Sequence, residues 1–241
     1  MSDGGLPFYD ITPFTAIDYP GRLAAVLWVA GCNLRCAYCY NPEIVAAAGR
    51  LGVDDALAFL ARRRGLLDGI VLSGGEPTIR DDLPAIMAAL RGAGMALKLD
   101  TNGMRPAVVR ALLERGLVDA IACDYKAPPG RIGRVTPGFD AGAFRETLDL
   151  LVPAPAGVDV AFRTTWHSAL LDRADIEAVM ADLAVRGHRG PYAVQHARTG
   201  HTLRPLSPSQ PDWRPEDLVV PDGLSVSFEG FGAAGPVCLP A

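Results

Sequence analysis

Three cysteines lie within eight residues of one another near the start of the chain. Cys32, Cys36 and Cys39 have the spacing C-x3-C-x2-C, and three thiolates this close together can hold one soft metal centre. A structural zinc site normally takes four protein ligands at paired C-x2-C spacing, and no fourth Cys or His lies near this segment. A cubic [4Fe–4S] cluster held by three cysteines keeps one iron without a protein ligand. The spacing therefore favours a cluster whose open iron takes a chelating group from another molecule.

Several small or charged residues farther along the chain have the chemistry to bind such a molecule. Gly74 and Gly75 carry no side chain, so the backbone there can approach a ligand closely and offer polar contacts. The carboxylate of Glu76 can hold an ammonium group, and the ammonium of Lys126 can hold a carboxylate as a point charge. Together these groups are complementary to the amine and the carboxylate of an α-amino acid.

Two aspartates and one aromatic residue extend this predicted site. Asp100 and Asp124 can order a ribose, an ammonium group or a bound cation. Tyr38, which lies between the second and third cysteines, can stack on a nucleobase. The combined set suits an amino acid joined to a nucleoside, placed next to an iron.

The elements that must position these residues alternate between strands and helices. Six short apolar runs predict strands: Leu23–Val29, Gly69–Ser73, Ala96–Thr101, Ala120–Asp124, Val158–Thr165 and Tyr192–His196. Segments with helical apolar spacing lie between them, and this alternation implies a parallel sheet with helices outside it. Because six units are too few to close an eight-stranded barrel, we expect an α/β fold, a partial (β/α)6 TIM-like barrel that stays open. A flat doubly wound sheet is the alternative.

The predicted strands end in polar or small residues, and these ends carry the candidate site. In parallel α/β folds ligands bind at the carboxyl ends of the strands. The exposed end of a strand is often polar, and this alone can explain the polar residues at any one strand end. Polar ends on five successive strands, however, predict a single polar site.

We expect the barrel to occupy residues 1–197. Residues 198–241 contain seven prolines and are expected to form an extension packed on the barrel, with one strand at Leu224–Phe228.

Composition and charge exclude several other classes of protein. The 241 residues are 49% hydrophobic with a net charge of −4, which disfavours both disorder and electrostatic binding of nucleic acid. No apolar run approaches the roughly 20 residues that span a bilayer, and the first residues lack the basic and apolar regions of a secretory signal. We therefore expect a cytoplasmic protein. Only two of the 23 basic residues are lysines, Lys98 and Lys126, which indicates either a need for a compact ammonium or chance.

At these motifs the sequence resembles the radical S-adenosylmethionine (radical SAM) superfamily. The cysteine loop with an aromatic residue before its last cysteine is similar to the signature of that superfamily, and the segment 73–77, Ser-Gly-Gly-Glu-Pro, is similar to its methionine-amine motif. More narrowly, the chain resembles activating enzymes of glycyl-radical enzymes, especially those of anaerobic (class III) ribonucleoside-triphosphate reductases. The segments that carry this narrower resemblance are 15–21, the cysteine loop continued to 43, 99–103, 124–128 and 162–165.

The resemblance implies a set of cofactors and the residues that hold them. Cys32, Cys36 and Cys39 would bind one [4Fe–4S] cluster, and S-adenosylmethionine would chelate its fourth iron. Glu76 and the backbone of residues 74–75 would contact the methionyl amine. The remaining predicted contacts are Asp100, Asp124 and Lys126 around the methionyl carboxylate and a monovalent cation, with Tyr38, Asn102, Thr165 and His196 also near the cofactor. Gln195 is the alternative to His196.

The resemblance also implies a reaction and its partners. One electron from a flavodoxin or ferredoxin would cleave the cofactor to methionine and a 5′-deoxyadenosyl radical, which would abstract hydrogen from a glycine of a partner such as anaerobic ribonucleotide reductase. Here the cofactor supplies the chemistry and the protein supplies orientation. The alternatives are a radical SAM enzyme that modifies another peptide or a small molecule, and a non-catalytic iron–sulfur or zinc module for electron transfer.

The chain departs from the family pattern at two places near the predicted site. Tyr40 stands where this family often has a histidine, and the segment 166–168, Trp-His-Ser, replaces a Val-Pro-Gly turn of its relatives. Because of these two departures, the family pattern does not identify the substrate. His167 is predicted either to pack locally or to lie near the adenosine. Cys123 and Cys238 are expected to be a buried strand residue and a tail thiol, and not cluster ligands.

Overall fold

In the part of the chain that the structure describes, nine strands form one sheet, and each strand pairs with its neighbour in the chain. The computed structural model describes residues 5–231 and the strand at 237–239. The order of the strands in the sheet is the same as their order in the chain, from β1 to β9. The strands are β1 (Phe8–Thr15), β2 (Ala24–Val29), β3 (Gly69–Gly74), β4 (Ala96–Thr101), β5 (Ala120–Asp124), β6 (Asp159–Trp166), β7 (Pro191–His196), β8 (Ser225–Glu229) and β9 (Val237–Leu239).

The strands β2 to β8 run parallel, and the antiparallel strands β1 and β9 flank them. Because β1 and β9 lie at opposite ends of the strand order, the sheet does not close, as the sequence predicts. The six predicted strands correspond to β2–β7, and β4 and β5 have the predicted bounds. Strand β8, which corresponds to the strand predicted in the extension, adds a seventh parallel strand to these six.

The helices fill the connections between the parallel strands. They are α1 (Pro42–Val45), α2 (Val53–Ala61), α3 (Leu83–Arg91), α4 (Pro106–Glu114), α5 (Ile132–Val135), α6 (Ala141–Leu151) and α7 (Arg173–Arg186). The apolar residues with helical spacing in α3 and α7 are buried, namely Leu83, Ile86, Met87 and Leu90 in α3, and Ile176, Val179, Met180 and Leu183 in α7. The helix α7 begins at the N-cap Asp172, whose carboxylate accepts the N–H of Asp175, and it ends at Gly187 in the left-handed region (φ 95°), as helix caps require.

The sheet carries a different hydrophobic cluster on each of its faces. The larger one packs the sheet against the helices. A smaller one contains Tyr19, Val26 and Val71 among its buried members. Tyr19 packs on Gly69, where a Cβ atom would lie 2.7 Å from its ring. Strand β1, which the sequence interpretation missed, precedes the turn that delivers Tyr19.

The segment after residue 197 contributes to the same sheet. Strand β8 pairs with β7 and agrees with the predicted strand at Leu224–Phe228. Earlier in this segment, the N–H groups of Leu203 and Arg204 donate to the carbonyls of Cys39 and Ala37 at 2.9 and 3.1 Å. The extension is therefore bonded to the cysteine loop, while its division from the barrel at residue 197 stays a prediction. Within the described residues, no helix has both the length and the apolar character needed to span a membrane.

Candidate functional site

One cavity of about 200 Å³ opens at the carboxyl ends of the parallel strands. All the predicted site residues except His196 line it. Those that line it are Cys32, Cys36, Tyr38, Cys39, Gly74, Gly75, Glu76, Asp100, Asn102, Asp124, Lys126 and Thr165. Parallel strands place their carboxyl ends at one edge of the sheet, which is why residues up to 133 positions apart in the chain meet here.

The cysteine loop begins directly after β2, where Gly31 takes the left-handed conformation (φ 84°). The backbone N–H groups of Gly31 and Cys32 donate to the carbonyls of Ile44 and Val45 at 2.9 and 3.1 Å, and that of Ala37 donates to Val135 at 2.8 Å. Helices α1 and α5 thus hold the loop at its start and near its middle.

All three thiols of this loop are free. Cys36 is buried, while Cys32 and Cys39 are half-buried. Burial raises the pKa of Cys32 to about 11, and burial also raises the pKa of Cys39. The thiols of Cys32 and Cys39 therefore keep their protons until a metal centre displaces them, because metal binding requires the thiolate form.

The donor set of this loop fits a cluster bound at three irons. Three soft thiol donors line one cavity, and Cys123 is fully buried elsewhere in β5. Within the described residues, no group of three His, Cys, Asp or Glu side chains converges on a single metal ion. Ligands of a cluster bind separate irons and need not converge on one point. The side chain of Cys238 lies outside the described part of the chain.

Gly74 and Gly75 allow a close approach between the ends of β2 and β3. A Cβ atom on Gly74 would lie 2.5 Å from the backbone of Val29, and one on Gly75 would lie 1.8 Å from the carbonyl oxygen of Gly31. The N–H groups of Gly75 and Glu76 donate to these same neighbours at 3.0 and 2.9 Å. The sequence analysis expects these glycines to let the backbone approach a ligand. In the structure they let two segments of the protein backbone approach each other. Their contact with a ligand stays a prediction.

Glu76 is almost fully buried, and four hydrogen bonds hold its carboxylate. Oε1 accepts the N–H and the hydroxyl of Thr78 at 3.0 and 2.5 Å and the hydroxyl of Thr101 at 2.7 Å, and Oε2 accepts the N–H of Asn102 at 2.6 Å. Burial raises the pKa of Glu76, although these hydrogen bonds oppose the rise. Glu76 therefore joins the loops after β3 and β4, and Oε2 retains acceptor capacity for an ammonium group.

Asn102 and Tyr38 connect the other parts of the cavity wall. The side-chain amide of Asn102 donates to the Oδ1 atom of Asn33 at 2.8 Å, which bonds the loop after β4 to the cysteine loop. The Tyr38 ring lies beneath the ammonium of Lys126 at 5.6 Å. The Tyr38 hydroxyl is buried and has no hydrogen-bond partner in the described part of the protein. Such an orphaned group indicates a missing partner.

A network of ion pairs crosses the cavity from β4 to β6. Asp100 accepts from Lys98, and it also accepts from Arg163 at 3.2 Å. Asp124 accepts from Lys126 at 2.8 Å and from Arg163 at 3.0 Å. Burial would raise the pKa of both carboxyl groups, but the basic partners lower that of Asp100 and bring that of Asp124 down to about 2. Both carboxylates are therefore ionised at neutral pH.

The ion-pair network contains two basic residues that the predicted site omits, Lys98 and Arg163. A signal for Lys98 is present in the sequence: it precedes Asp100 by two residues, as Asp124 precedes Lys126, and residues two apart share one face of a strand. Both lysines of the chain thus lie in this network. Arg163 follows the same alternation on β6 and lies in the segment 162–165 that carries the family resemblance, although the sequence analysis assigns it no role.

Of the two residues that the sequence offers at the end of β7, Gln195 lines the cavity and His196 does not; the contact of either with a cofactor stays a prediction. Successive side chains of a strand point to opposite faces, so only one of the two can face the ligand. The His196 ring lies 5.4 Å from the Trp166 ring and 5.2 Å from the Phe231 ring. Gln195 donates to Glu229 on β8 at 2.8 Å.

His167 anchors the extension. Its Nδ1 atom accepts the N–H of Ala169 at 3.1 Å, so its Nε2 atom donates to the carbonyl of Ser207 at 2.9 Å. These two bonds are packing contacts, and the other role that the sequence left open, a position near the adenosine, stays a prediction.

The comparisons with known proteins agree with this geometry. Residues 26–160 match the radical SAM superfamily, and the chain belongs to it. A protein of Methanocaldococcus jannaschii, provisionally named a glycyl-radical enzyme activating enzyme, is 32% identical over 181 residues, which are 70% of this chain and 72% of that protein. A similarly named protein of Haemophilus influenzae is 31% identical over 43% of this chain and 41% of its own length.

Other relatives carry different names. The 7-carboxy-7-deazaguanine synthase of Rhodospirillum rubrum is 34% identical over 35% of this chain and 36% of that enzyme. Among solved structures, Streptococcus suis SuiB bound to S-adenosylmethionine superposes with a TM-score of 0.61 at 14% identity, over 77% of this chain and 43% of SuiB. At that identity the likeness shows the fold alone, a radical SAM partial barrel. The chain thus spans less than half of SuiB and of the Haemophilus protein.

Proposed function

We propose that this protein cleaves S-adenosylmethionine reductively and installs a glycyl radical in a partner protein such as anaerobic ribonucleotide reductase. The observation that carries the proposal is that the three cysteine thiols and the ion-paired ends of β4, β5 and β6 line one cavity. The name of the Methanocaldococcus relative supports the glycyl-radical target. A flavodoxin or ferredoxin is the proposed electron donor.

The cofactors of this family supply the radical chemistry. When bound and reduced, the cluster supplies the electron that splits S-adenosylmethionine into methionine and the 5′-deoxyadenosyl radical that takes hydrogen from glycine. The protein's own residues bind and orient. Cys32, Cys36 and Cys39 would hold the cluster, and the charged groups of the cavity wall would orient S-adenosylmethionine beside it.

The charged groups of the cavity are placed to hold the two ends of an amino acid. The Lys126 ammonium gives one N–H to Asp124 and has two more for a carboxylate. Glu76 has the remaining acceptor for the amine. The orphaned hydroxyl of Tyr38 is available to a polar group of the nucleoside. These assignments use each group's unfilled hydrogen-bonding capacity.

Cofactor cleavage is the first test. Protein reconstituted with iron and sulfide without oxygen, then reduced with dithionite, is expected to convert S-adenosylmethionine into 5′-deoxyadenosine. The C36A variant should form none, and C123A is the matched control because Cys123 is buried outside the cavity. A protein with a full cluster that forms no product would support an electron-transfer module.

Radical transfer is the second test. Incubation with an anaerobic ribonucleotide reductase is expected to give the doublet of a glycyl radical in the electron paramagnetic resonance spectrum. Substitution of the partner's radical glycine by alanine should remove that signal. Cofactor cleavage without a glycyl signal would favour another substrate.

A modified small molecule or peptide is the second candidate product. The 34% identity to a 7-carboxy-7-deazaguanine synthase favours it, as does the pair of departures at Tyr40 and Trp166. The Tyr40 side chain is 48% exposed and stacks with Arg198 at 5.3 Å. Product analysis of reactions with candidate purine precursors, by mass, distinguishes this reaction from glycyl-radical formation.

A further inference from the structure

The guanidinium of Arg163 lies between Asp100 and Asp124, the two carboxylates that the family resemblance places around a monovalent cation. Its Nη1 atom is 3.2 Å from Oδ2 of Asp100, and its Nε and Nη2 atoms are 3.0 and 2.9 Å from Oδ1 of Asp124. Strand β6 holds Arg163 in register with Asp124 on β5. The guanidinium thus bridges the ends of β4 and β5 from the third strand.

Each of these carboxylates also has a lysine of its own. Lys98 pairs with Asp100, and Lys126 pairs with Oδ2 of Asp124 at 2.8 Å. Three positive groups therefore face two negative ones. The other acids of the cavity wall, Asp18 and Glu76, form no ion pair with these groups in the described residues. Asp18 accepts a hydrogen bond from Thr15. Glu76 accepts hydrogen bonds from Thr78 and Asn102.

A small cation needs carboxylate oxygens with free lone pairs and without a neighbouring positive charge. The oxygens that face each other across the ends of β4 and β5 are already held by Arg163, which repels a further cation. We propose that the Arg163 guanidinium occupies the place of the monovalent cation, so that this protein binds S-adenosylmethionine without Na⁺ or K⁺.

The same arrangement supplies a recognition element for the methionyl carboxylate. Arg163 donates two of its five N–H groups to the two aspartates, from Nε and Nη1, and Lys126 donates one of three, so both retain donors. The surplus positive charge of the network matches the single negative charge of a carboxylate. This inference rests on the proposed use of S-adenosylmethionine.

The first test measures binding without turnover. Calorimetric titration of the reconstituted, unreduced protein with S-adenosylmethionine is compared in tetramethylammonium, Na⁺ and K⁺ chloride at equal ionic strength. The wild-type dissociation constant is expected to be the same in all three salts. An affinity that rises about tenfold or more with Na⁺ or K⁺ would overturn the proposal.

The second test exchanges the built-in cation. R163M removes the charge, so its affinity for S-adenosylmethionine is expected to fall about tenfold or more in tetramethylammonium and to recover partly with Na⁺ or K⁺. R163K keeps the charge and should remain independent of the salt. An R163M variant that is stable to heat but insensitive to salt would contradict the proposal.

A third readout separates this inference from the proposed function. The linewidth of the sodium NMR signal reports bound Na⁺ in the protein without S-adenosylmethionine. We expect no protein-dependent broadening with the wild type and broadening with R163M. Broadening by the wild type would overturn the inference whether or not the protein cleaves the cofactor, whereas absence of cofactor binding in every salt would count against the proposed function alone.

Discussion

The carboxylate of Glu76 accepts the backbone N–H of Asn102 at 2.6 Å, and this bond joins the loop after β3 to the loop after β4. The residue expected to hold the methionyl amine is thus also a structural link in the cavity wall. A substitution at Glu76 breaks this bond and so lowers the stability of the protein. It also changes the binding of the cofactor, because both loops line the cavity.

E76Q should therefore destabilise the protein even without cofactors. The glutamine can present its oxygen to Thr78 and Thr101, but its amide nitrogen then faces the N–H of Asn102, so that two donors oppose each other. A buried hydrogen bond lost in this way costs about 1–3 kcal/mol, which urea unfolding of the metal-free protein measures. The exposed Glu114 at the end of α4 gives the control E114Q. Equal stability of the two variants would contradict the structural role.

The ion pairs of Asp124 should make stability depend on pH in the acid range. Burial opposes ionisation, but Arg163 and Lys126 lower the pKa of Asp124 from 3.8 to about 2. A carboxyl group whose pKa is lower in the folded state stabilises the protein above the unfolded pKa, and that contribution disappears as the pH falls through the folded value. The shift corresponds to about 2 kcal/mol.

The D124N variant tests this dependence. Its free energy of unfolding should be lower than that of the wild type by about 2 kcal/mol or more at neutral pH, since Lys126 and Arg163 lose a partner. The difference should shrink between about pH 4 and about pH 2. A difference between the two proteins that stays constant across this range would show that Arg163 and Lys126 do not lower the pKa of Asp124.

Much of the fold follows from the sequence because a parallel strand is a short apolar run and an outer helix has a 3.6-residue period. The runs at β4 and β5 have the predicted bounds, and the apolar positions of α3 and α7 are buried. Strand β1 escaped prediction because its alternation is interrupted: Asp10 and Pro13 lie within it, and its pairing with β2 contains two irregularities.

The site was predicted less completely where it depends on side-chain direction. Their residue types and their positions after predicted strands identify Cys32, Glu76 and Lys126 as candidate site residues, and all three line the cavity. The sequence does not reveal whether the side chain of Gln195 or that of His196 faces the cavity, because this depends on where strand β7 begins. The role of Arg163, which lies in the segment 162–165, became visible only through its bonds to two other strands.

Paired variants of β7 should separate binding from packing. Q195A removes a side chain that lines the cavity, so affinity for S-adenosylmethionine is expected to fall while thermal stability changes little. H196A removes a ring that packs on Trp166 and Phe231, so unfolding free energy should fall by about 1–3 kcal/mol. Calorimetric titration and urea unfolding measure the two effects. The opposite pattern would restore His196 as the cavity residue.

The extension should be required to retain the cluster. The N–H of Leu203 donates to the carbonyl of Cys39, and that of Arg204 donates to Ala37. L203P removes the first of these donors, whereas L203A keeps the N–H and shortens the side chain. Loss of a hydrogen bond worth about 1–1.5 kcal/mol corresponds to roughly a tenfold change in equilibrium.

We therefore expect L203P to lose iron to a chelator about tenfold more readily than L203A, with the cluster's absorbance followed in the unreduced protein. Q210P is a second control, since Gln210 is exposed and its N–H forms no hydrogen bond within the described residues. Melting temperatures of the metal-free variants exclude a general loss of structure. If L203P and L203A retain iron equally, the hydrogen bond to Cys39 does not hold the cysteine loop.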